Sequence, residues 1–519
     1  MEFLRKENLS KFIIKNRIFF IFSCLVLVLI LGRGITSVVF DPDMERFFPK
    51  GHSATSLSYE IDETFIRTDN IVITINAKNN SIFTKKTLSL IESLTEKSWT
   101  VPYSIRVDSL TNYSYVRSVD DDLLVEPFIE NALSMEDSFI QRREKIVEEE
   151  EIIYGSLISK DKKTTVISIV VDPPNPDANL KLIDTIEYML EYIDEAKSNH
   201  PELDIRILGT PYQEYISPKM VLSEMPIVMP SMLLLILVSV LFMLRSVFAV
   251  LATIFVIVLS LISTFGSVGF IGNALNQMVI TIPILIITLA LADCVHLFSI
   301  FFQQRAKGYS SKESMVKSLE LNLQPLFLTT LTTCIGFLSF NVLDVPPLRD
   351  LGNFVSIGIA MAFIFTIFFA APLFSFFEIK APKSVNQQVN LSKKIAKFSL
   401  KNSKTLLWSV PLMSVLLISL IPLNVLDENP TQMYDEGFTS FSSDTLWLDE
   451  MLGVTFPVSF KAESKNGSVS EPEFLKKIDS FTNWLETQDE VNHVTSLAHT
   501  MKNLNKSMHG DDPKWETIP

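Results

Sequence analysis

Seven stretches of this chain are each apolar for about 20 residues, the length a helix needs to cross a bilayer core, and no other feature limits its folds so strongly. They run Phe12 to Leu31, Pro226 to Leu244, Phe248 to Phe270, Met278 to Phe302, Pro325 to Leu343, Phe354 to Phe377 and Leu406 to Val425. In lipid a backbone must satisfy its own hydrogen bonds, so each run reads as a helix. Arg5, Lys6, Lys11, Lys15 and Arg17 cluster ahead of and at the start of the first, as in a signal peptide. The run is too long for one and lacks a small-residue cleavage site before Phe40, so it reads as a retained helix. The chain also carries 59 acidic and 45 basic side chains, a net charge of -14. A sizeable acidic, water-facing part must therefore accompany the helices, and the sign of the charge excludes a basic nucleic-acid binder. Cys24, Cys294 and Cys334 all fall inside apolar runs, which leaves the water-facing parts none to pair.

Lysine and arginine in the short loops set the orientation. The basic N-terminus, Arg245, the group Arg305, Lys307, Lys312 and Lys317, and the seven lysines from Lys380 to Lys404 all fall on one side if every helix crosses. That side is expected to be cytoplasmic. The expected layout is then an N-terminal cytoplasmic segment and first helix (1–33), an external α+β domain (34–225) and a five-helix bundle (226–378). A basic cytoplasmic linker (379–404), a seventh helix (405–425) and a second external segment (426–519) follow.

Within the first external domain, alternation and β-branched residues predict strands at Asn70 to Asn76, Ser104 to Leu110, Thr164 to Val171 and Asp204 to Leu208. Amphipathic helices are predicted at Thr84 to Ser98 and Ala178 to Ala196. The order βαβ, insertion, βαβ is that of a ferredoxin-like split sandwich. The insertion, Thr111 to Lys163, is expected to hold a polar helix around Ser134 to Glu150. The acidic runs Asp120 to Asp122 and Glu148 to Glu151 read as solvated faces, and His52 and His200 as isolated surface histidines. Metal-ligand spacing, a glycine-rich phosphate loop and a nucleophile elbow are all missing, so neither a metal, a cofactor nor enzymatic chemistry is expected.

The chain repeats itself. Asp62-Glu63 recurs as Asp449-Glu450 and Ser109-Leu110 as Ser496-Leu497, each 387 positions on (449 less 62; 496 less 109). Leu88, Ile91, Ser93 and Val107 meet Leu475, Ile478, Ser480 and Val494 at the same spacing, and Arg17 meets Lys404. The seventh helix thus opens a second copy, with a strand expected at Val458 to Ala462, a helix at Glu471 to Thr487 and a strand at Val491 to Leu497. A complete second copy would give a protein of roughly 770 residues, so the 519 residues are expected to be a truncated form.

One acidic residue lies deep in a predicted span. Asp293 precedes Arg305 by 12 residues (305 less 293), about 18 Å of helix, which puts it near the midplane. A carboxylate there costs several kcal/mol unless it is protonated or paired, so Asp293 is a candidate ion or proton site. His296, three residues on, is expected to share the Asp293 face, and either relays a proton or pairs with the carboxylate, or else bonds backbone. Cys294 reads as a small packing residue. Thr329, Thr330, Thr332 and Thr333 in the next helix either donate to Asp293 across the helix interface or bond their own backbone. Gly336 beside them is expected to permit close helix approach.

At these residues the chain resembles the resistance-nodulation-division (RND) superfamily, in particular its predicted exporters related to the mycobacterial large membrane proteins, the MMPL branch. The resemblance is carried by Ala292-Asp-Cys-Val-His-Leu297, by Arg305 to Leu319 with Gly308, by Pro325-Leu-Phe-Leu-Thr-Thr-Leu-Thr-Thr-Cys-Ile-Gly-Phe-Leu-Ser339 and by Val345-Pro-Pro-Leu-Arg-Asp-Leu-Gly352. It implies a polytopic α-helical membrane protein with ferredoxin-like porter domains: half of an RND permease plus the start of the second half. It further implies export of a lipid-like or amphipathic substrate from the bacterial inner membrane, driven by protons bound at Asp293, with the large domains periplasmic. The partners so implied are membrane lipid or a hydrophobic small molecule, protons, a homo-oligomer (dimer or trimer) and periplasmic accessory proteins. Two departures stand out: Cys294 follows the aspartate where many relatives have a second polar residue, and the equivalent second-half helix is not in this chain. The alternatives are a lipid-binding, sterol-sensor-like membrane module and an inactive truncated product.

Overall fold

The computed structural model describes residues 6–39, 47–49, 51–65, 70–119, 122–150, 152–172, 179–272, 275–276, 278, 281–382, 385–425, 437–453, 457–464 and 467–519. Of the residues named above, Arg5, Phe40, Asp120, Asp121, Glu151 and Ala178 lie outside them. The chain opens with α1 (Lys6–Lys15), α2 (Arg17–Gly32) and α3 (Ser53–Thr64), then β1 (Asn70–Asn76), α4 (Lys85–Trp99) and β2 (Ser104–Ser109). Next come β3 (Ser114–Val119), β4 (Asp122–Pro127), α5 (Asp137–Ile146), β5 (Thr164–Val171), α6 (Asn179–Asn199) and β6 (Asp204–Leu208). The helices α7 (Thr210–Leu244), α8 (Val247–Ile271), α9 (Thr281–Ala306), α10 (Ser311–Leu338), α11 (Pro346–Phe365) and α12 (Ala371–Phe374) follow. After them stand α13 (Val385–Lys401), α14 (Ser403–Ile418), α15 (Phe441–Leu452), α16 (Pro472–Glu486) and α17 (Leu497–Met508). Two compact units result, one of Met1–Thr55 and Val221–Glu428, the other of Ser56–Met220 and Asn429–Pro519.

Among the described residues seven helical spans are long and apolar enough to cross a membrane, as the sequence predicts, and the chain is a multi-pass membrane protein. Three begin at least eight residues earlier than expected, the sixth at Pro346 rather than Phe354. The second continues upstream to Thr210, and the fifth runs Ser311–Val342, with Pro325 inside the helix rather than at its start. Its true start is a capping box in which the Ser310 hydroxyl accepts from the Glu313 amide (3.3 Å) and Glu313 Oε2 accepts from the Ser310 amide (3.0 Å). Proline interrupts one backbone bond there, which a membrane helix tolerates.

Glycine sets the closest helix contact in the membrane unit. A Cβ on Gly34 would overlap the carbonyl of Gly266, and one on Gly269 the carbonyl of Gly34, so α8 meets the turn after α2 at backbone distance. Gly352 of α11 likewise abuts the carbonyl of Phe337. Gly336, the glycine expected to do this, has nothing within reach of its missing side chain, because it faces the open side of α10. At the lysine-bearing end, Phe298 stacks on Phe374 at 4.2 Å, and Arg17 donates to the Ser375 carbonyl (2.8 Å) while lying 3.6 Å over Phe376. Arg305 ties the same end, bonding the Ile379 carbonyl (2.7 Å) and pairing with Glu378 (3.0 Å).

The water-facing unit holds an antiparallel four-stranded sheet in the order β2-β5-β1-β6. All four strands were predicted. Central β1 sets Ile73 opposite both Ile167 and Ile207, and Ile71, Ile73 and Ile75 are fully buried, in one core with Leu88 and Ile91 of α4 and Ile186 and Ile193 of α6. Phe441, Leu448 and Leu452 of α15 join that core. Arg206 on β6 bonds Asp204 (2.5 Å) and Asp444 of α15 (2.7 Å) and lies 4.3 Å over Trp447. The insertion contains α5 as expected, and also the hairpin β3-β4, which was not foreseen because its strands are mostly exposed and lack a periodic buried face.

The repeat reappears in the helix boundaries. Subtracting 387 carries α16 (472–486) onto 85–99, the span of α4, and α14 (403–418) onto 16–31, within a residue of α2. It carries α15 (441–452) onto 54–65, beside α3. The strands expected in the second copy do not form: residues 457–464 and 491–496 are coil, because neither finds a partner strand among the described residues. Instead α17, which the sequence did not announce, packs on α16 through Leu475, Ala498 and Ile518, and Ser118 of the hairpin donates to Asp511 (2.9 Å).

Candidate functional site

Asp293 stands near the middle of α9 on the stripe Ile286, Ala290, Asp293 and Leu297, which faces the inside of the bundle at helical spacing. It is 9% exposed. Among the described residues no hydrogen bond or ion pair reaches its carboxylate. Next to it the thiol of Cys294, fully buried, lies 3.7 Å from the Thr366 hydroxyl. Thr366 opens a π-turn, Thr366–Ala370, which continues α11. Single π-turns re-aim side chains within a helix and recur at functional sites.

His296 does not share the buried face. Three residues add about 300° of helical rotation, which leaves it about 60° round α9 from Asp293; on that side of the stripe the side chain is exposed, and no bond joins it to Asp293 among the described residues. Its backbone carbonyl accepts from Asn322 Nδ2 at 3.3 Å.

That bond and a second one, from the Ser318 hydroxyl to the Leu297 carbonyl (2.6 Å), fix the register of α9 against antiparallel α10. The register puts Asp293 level with the turn from Asn322 to Pro325, and Thr329 about 6 Å further along at about 1.5 Å per residue. The threonine hydroxyls accordingly turn to their own helix. Thr329 donates to Leu326 (2.9 Å), Thr332 to Leu328 (2.9 Å) and Thr333 to Thr329 (2.7 Å). Thr330 is the buried one of the four, and its hydroxyl is also not bonded to Asp293. Of the two roles left open by the sequence, backbone bonding is the one observed for Thr329, Thr332 and Thr333.

Ser318 and Asn322 are the polar residues that reading the sequence missed. Starting the fifth span at Pro325 placed both outside the membrane, although their four-residue spacing on one stripe with Ser311, Ser314, Met315, Leu319 and Leu326 was visible. No group of three or more His, Cys, Asp or Glu side chains able to hold a metal occurs among the described residues.

The chain is 20% identical over 352 residues to a protein of Methanocaldococcus jannaschii named as a membrane protein, MJ1562, an alignment that covers 66% of this chain and 85% of the relative. The model of the MMPL family matches residues 92–385, which include β5 to β6, all of α7 to α12, and Asp293 with its neighbours. The chain therefore belongs to the MMPL family.

Proposed function

We propose that this chain is the proton-coupled half of an RND-type permease, which exports a lipid-like or amphipathic substrate across or out of the bacterial inner membrane. The observation that carries the reading is Asp293: an ionisable side chain, buried, near the middle of a membrane span, without a charged partner among the described residues. Such a residue marks an ion or proton pathway by default. Family membership supports the transporter class. The strand order β2-β5-β1-β6, with α4 and α6 each inside a βαβ half, supports the reading of the water-facing unit as a ferredoxin-like porter domain. The lysine-rich end is then cytoplasmic and the porter domain periplasmic.

The exposed side of α10 supports the expected partners. Thr329, Thr332 and Gly336 lie open on a face at membrane depth, and His296 of α9, level with Asn322, is open as well. Polar groups there call for further helices, supplied by a second repeat or by another copy of the chain. Lipid and protons are the other expected partners, together with periplasmic accessory proteins, and no enzymatic chemistry is assigned.

The test is proton flux. In liposomes containing a trapped pH dye, a full-length version of the protein should take up protons when a fluorescent lysolipid is supplied under a pH gradient. Asp293→Asn should reduce that flux to background. Undiminished flux in the Asp293→Asn protein would remove Asp293 from the pathway and with it this reading.

A further inference from the structure

The basic helix α13 does more than link two spans. Its C-terminal half carries Lys393, Lys394, Lys397 and Lys401, while Ile395 and Phe398, three residues apart and so on one face, are 58% and 60% exposed. A lysine stripe beside an exposed apolar stripe is the pattern of a helix lying in the membrane interface. Where α13 runs past the ends of α7 and α9 it leaves a cavity of about 490 Å³, within the size range of small-ligand sites. Leu244 and Phe302 supply its apolar wall, and Ser299, Gln303, Ser392 and Lys393 its polar one. Leu244 and Phe302 are almost fully buried, so that wall is built into the bundle rather than laid on its surface. Lys393 forms no ion pair among the described residues.

We propose that this cavity binds the headgroup of an anionic phospholipid from the leaflet on the lysine-bearing side. Three features select that occupant. The ammonium of Lys393 is an unmatched positive charge at the cavity wall, and the amide and hydroxyls of Gln303, Ser299 and Ser392 are suited to phosphate oxygens. Leu244 and Phe302 of the apolar wall belong to the ends of the spans formed by α7 and α9, where acyl chains begin. The remaining lysines of α13 add long-range attraction to an anionic leaflet. A zwitterionic lipid matches the apolar wall but not the charge. The proposal is independent of the proton pathway at Asp293.

The test is native mass spectrometry of the detergent-solubilised full chain titrated with phosphatidylglycerol or phosphatidylcholine. The first phosphatidylglycerol should bind at least roughly fivefold tighter than phosphatidylcholine, the difference one lysine makes near anionic headgroups. Lys393→Gln should bring the two lipids within about twofold by the same reasoning. Ala396→Phe, which fills the cavity from α13, should lower phosphatidylglycerol binding by a similar factor, and Lys312→Gln, away from the cavity, should change nothing. Equal affinities in the unaltered protein, or a preference that survives both Lys393→Gln and Ala396→Phe, would overturn the proposal. Displacement of phosphatidylglycerol by millimolar inorganic phosphate would also overturn it, since the site would then recognise free phosphate rather than lipid.

Discussion

Asn322 of α10 donates through Nδ2 to the backbone carbonyl of His296 at 3.3 Å, one turn along α9 from Asp293. The bond holds α9 and α10 in the register that decides which side chains can approach the carboxylate. Asn322→Leu keeps the volume and removes the donor. It should lower thermal stability in detergent by about 0.6 to 1.7 kcal/mol, the range found for hydrogen bonds between membrane helices. Proton flux should fall further than this loss accounts for, and a variant with native flux would show that the register is held by packing alone.

The glycine contact between α8 and the turn after α2 leaves no room for a methyl group. Gly269→Ala should cost about 1 to 3 kcal/mol, as overpacking does elsewhere. Gly336→Ala, at an open helical position, should be neutral or gain up to about 1 kcal/mol from helix propensity. Melting curves of the two variants should therefore shift in opposite directions, or at least differ clearly. Equal shifts would contradict the close approach of Gly34 and Gly269.

Arg206 joins the sheet to α15 through Asp444 and stacks on Trp447. A double-mutant cycle with Arg206→Gln and Asp444→Asn should give a coupling energy of about 0.5 to 3 kcal/mol, the usual range for contacting residues. Either variant should also expose the segment around α15 to protease. No coupling would mean that Phe441, Leu448 and Leu452 dock α15 by apolar burial alone.

Glu150 gives the water-facing unit a pH dependence. Burial pushes its carboxyl above the ordinary glutamate range, offset in part by the Tyr113 hydroxyl that donates to it at 2.9 Å and by Lys506. The folded state therefore holds the proton more tightly than the unfolded chain. Below the ordinary glutamate range both states are protonated and there is no penalty. Stability falls as pH rises from that range through the raised value. Glu150→Gln should flatten this part of the melting-temperature profile and raise stability near neutral pH. An unchanged slope would show that other carboxyls set it.

The number of spans, the four strands of the sheet and the 387-residue repeat were legible because each is a periodic pattern along the chain. Twenty apolar residues specify a membrane helix whatever surrounds them, and a buried strand such as Thr164–Val171 announces itself by its β-branched run. Asp293 was legible for the same reason, as an interruption of an apolar run. The surroundings of that residue were not. Whether Thr329 or Asn322 stands beside it depends on how α9 slides and turns against α10, and a shift of about two turns exchanges the two. The orientation of His296, the open surroundings of Gly336 and the failure of residues 457–464 to form a strand are likewise fixed by neighbours distant in sequence. Periodicity shows what each segment can become, whereas contacts between segments decide which of its polar groups meet.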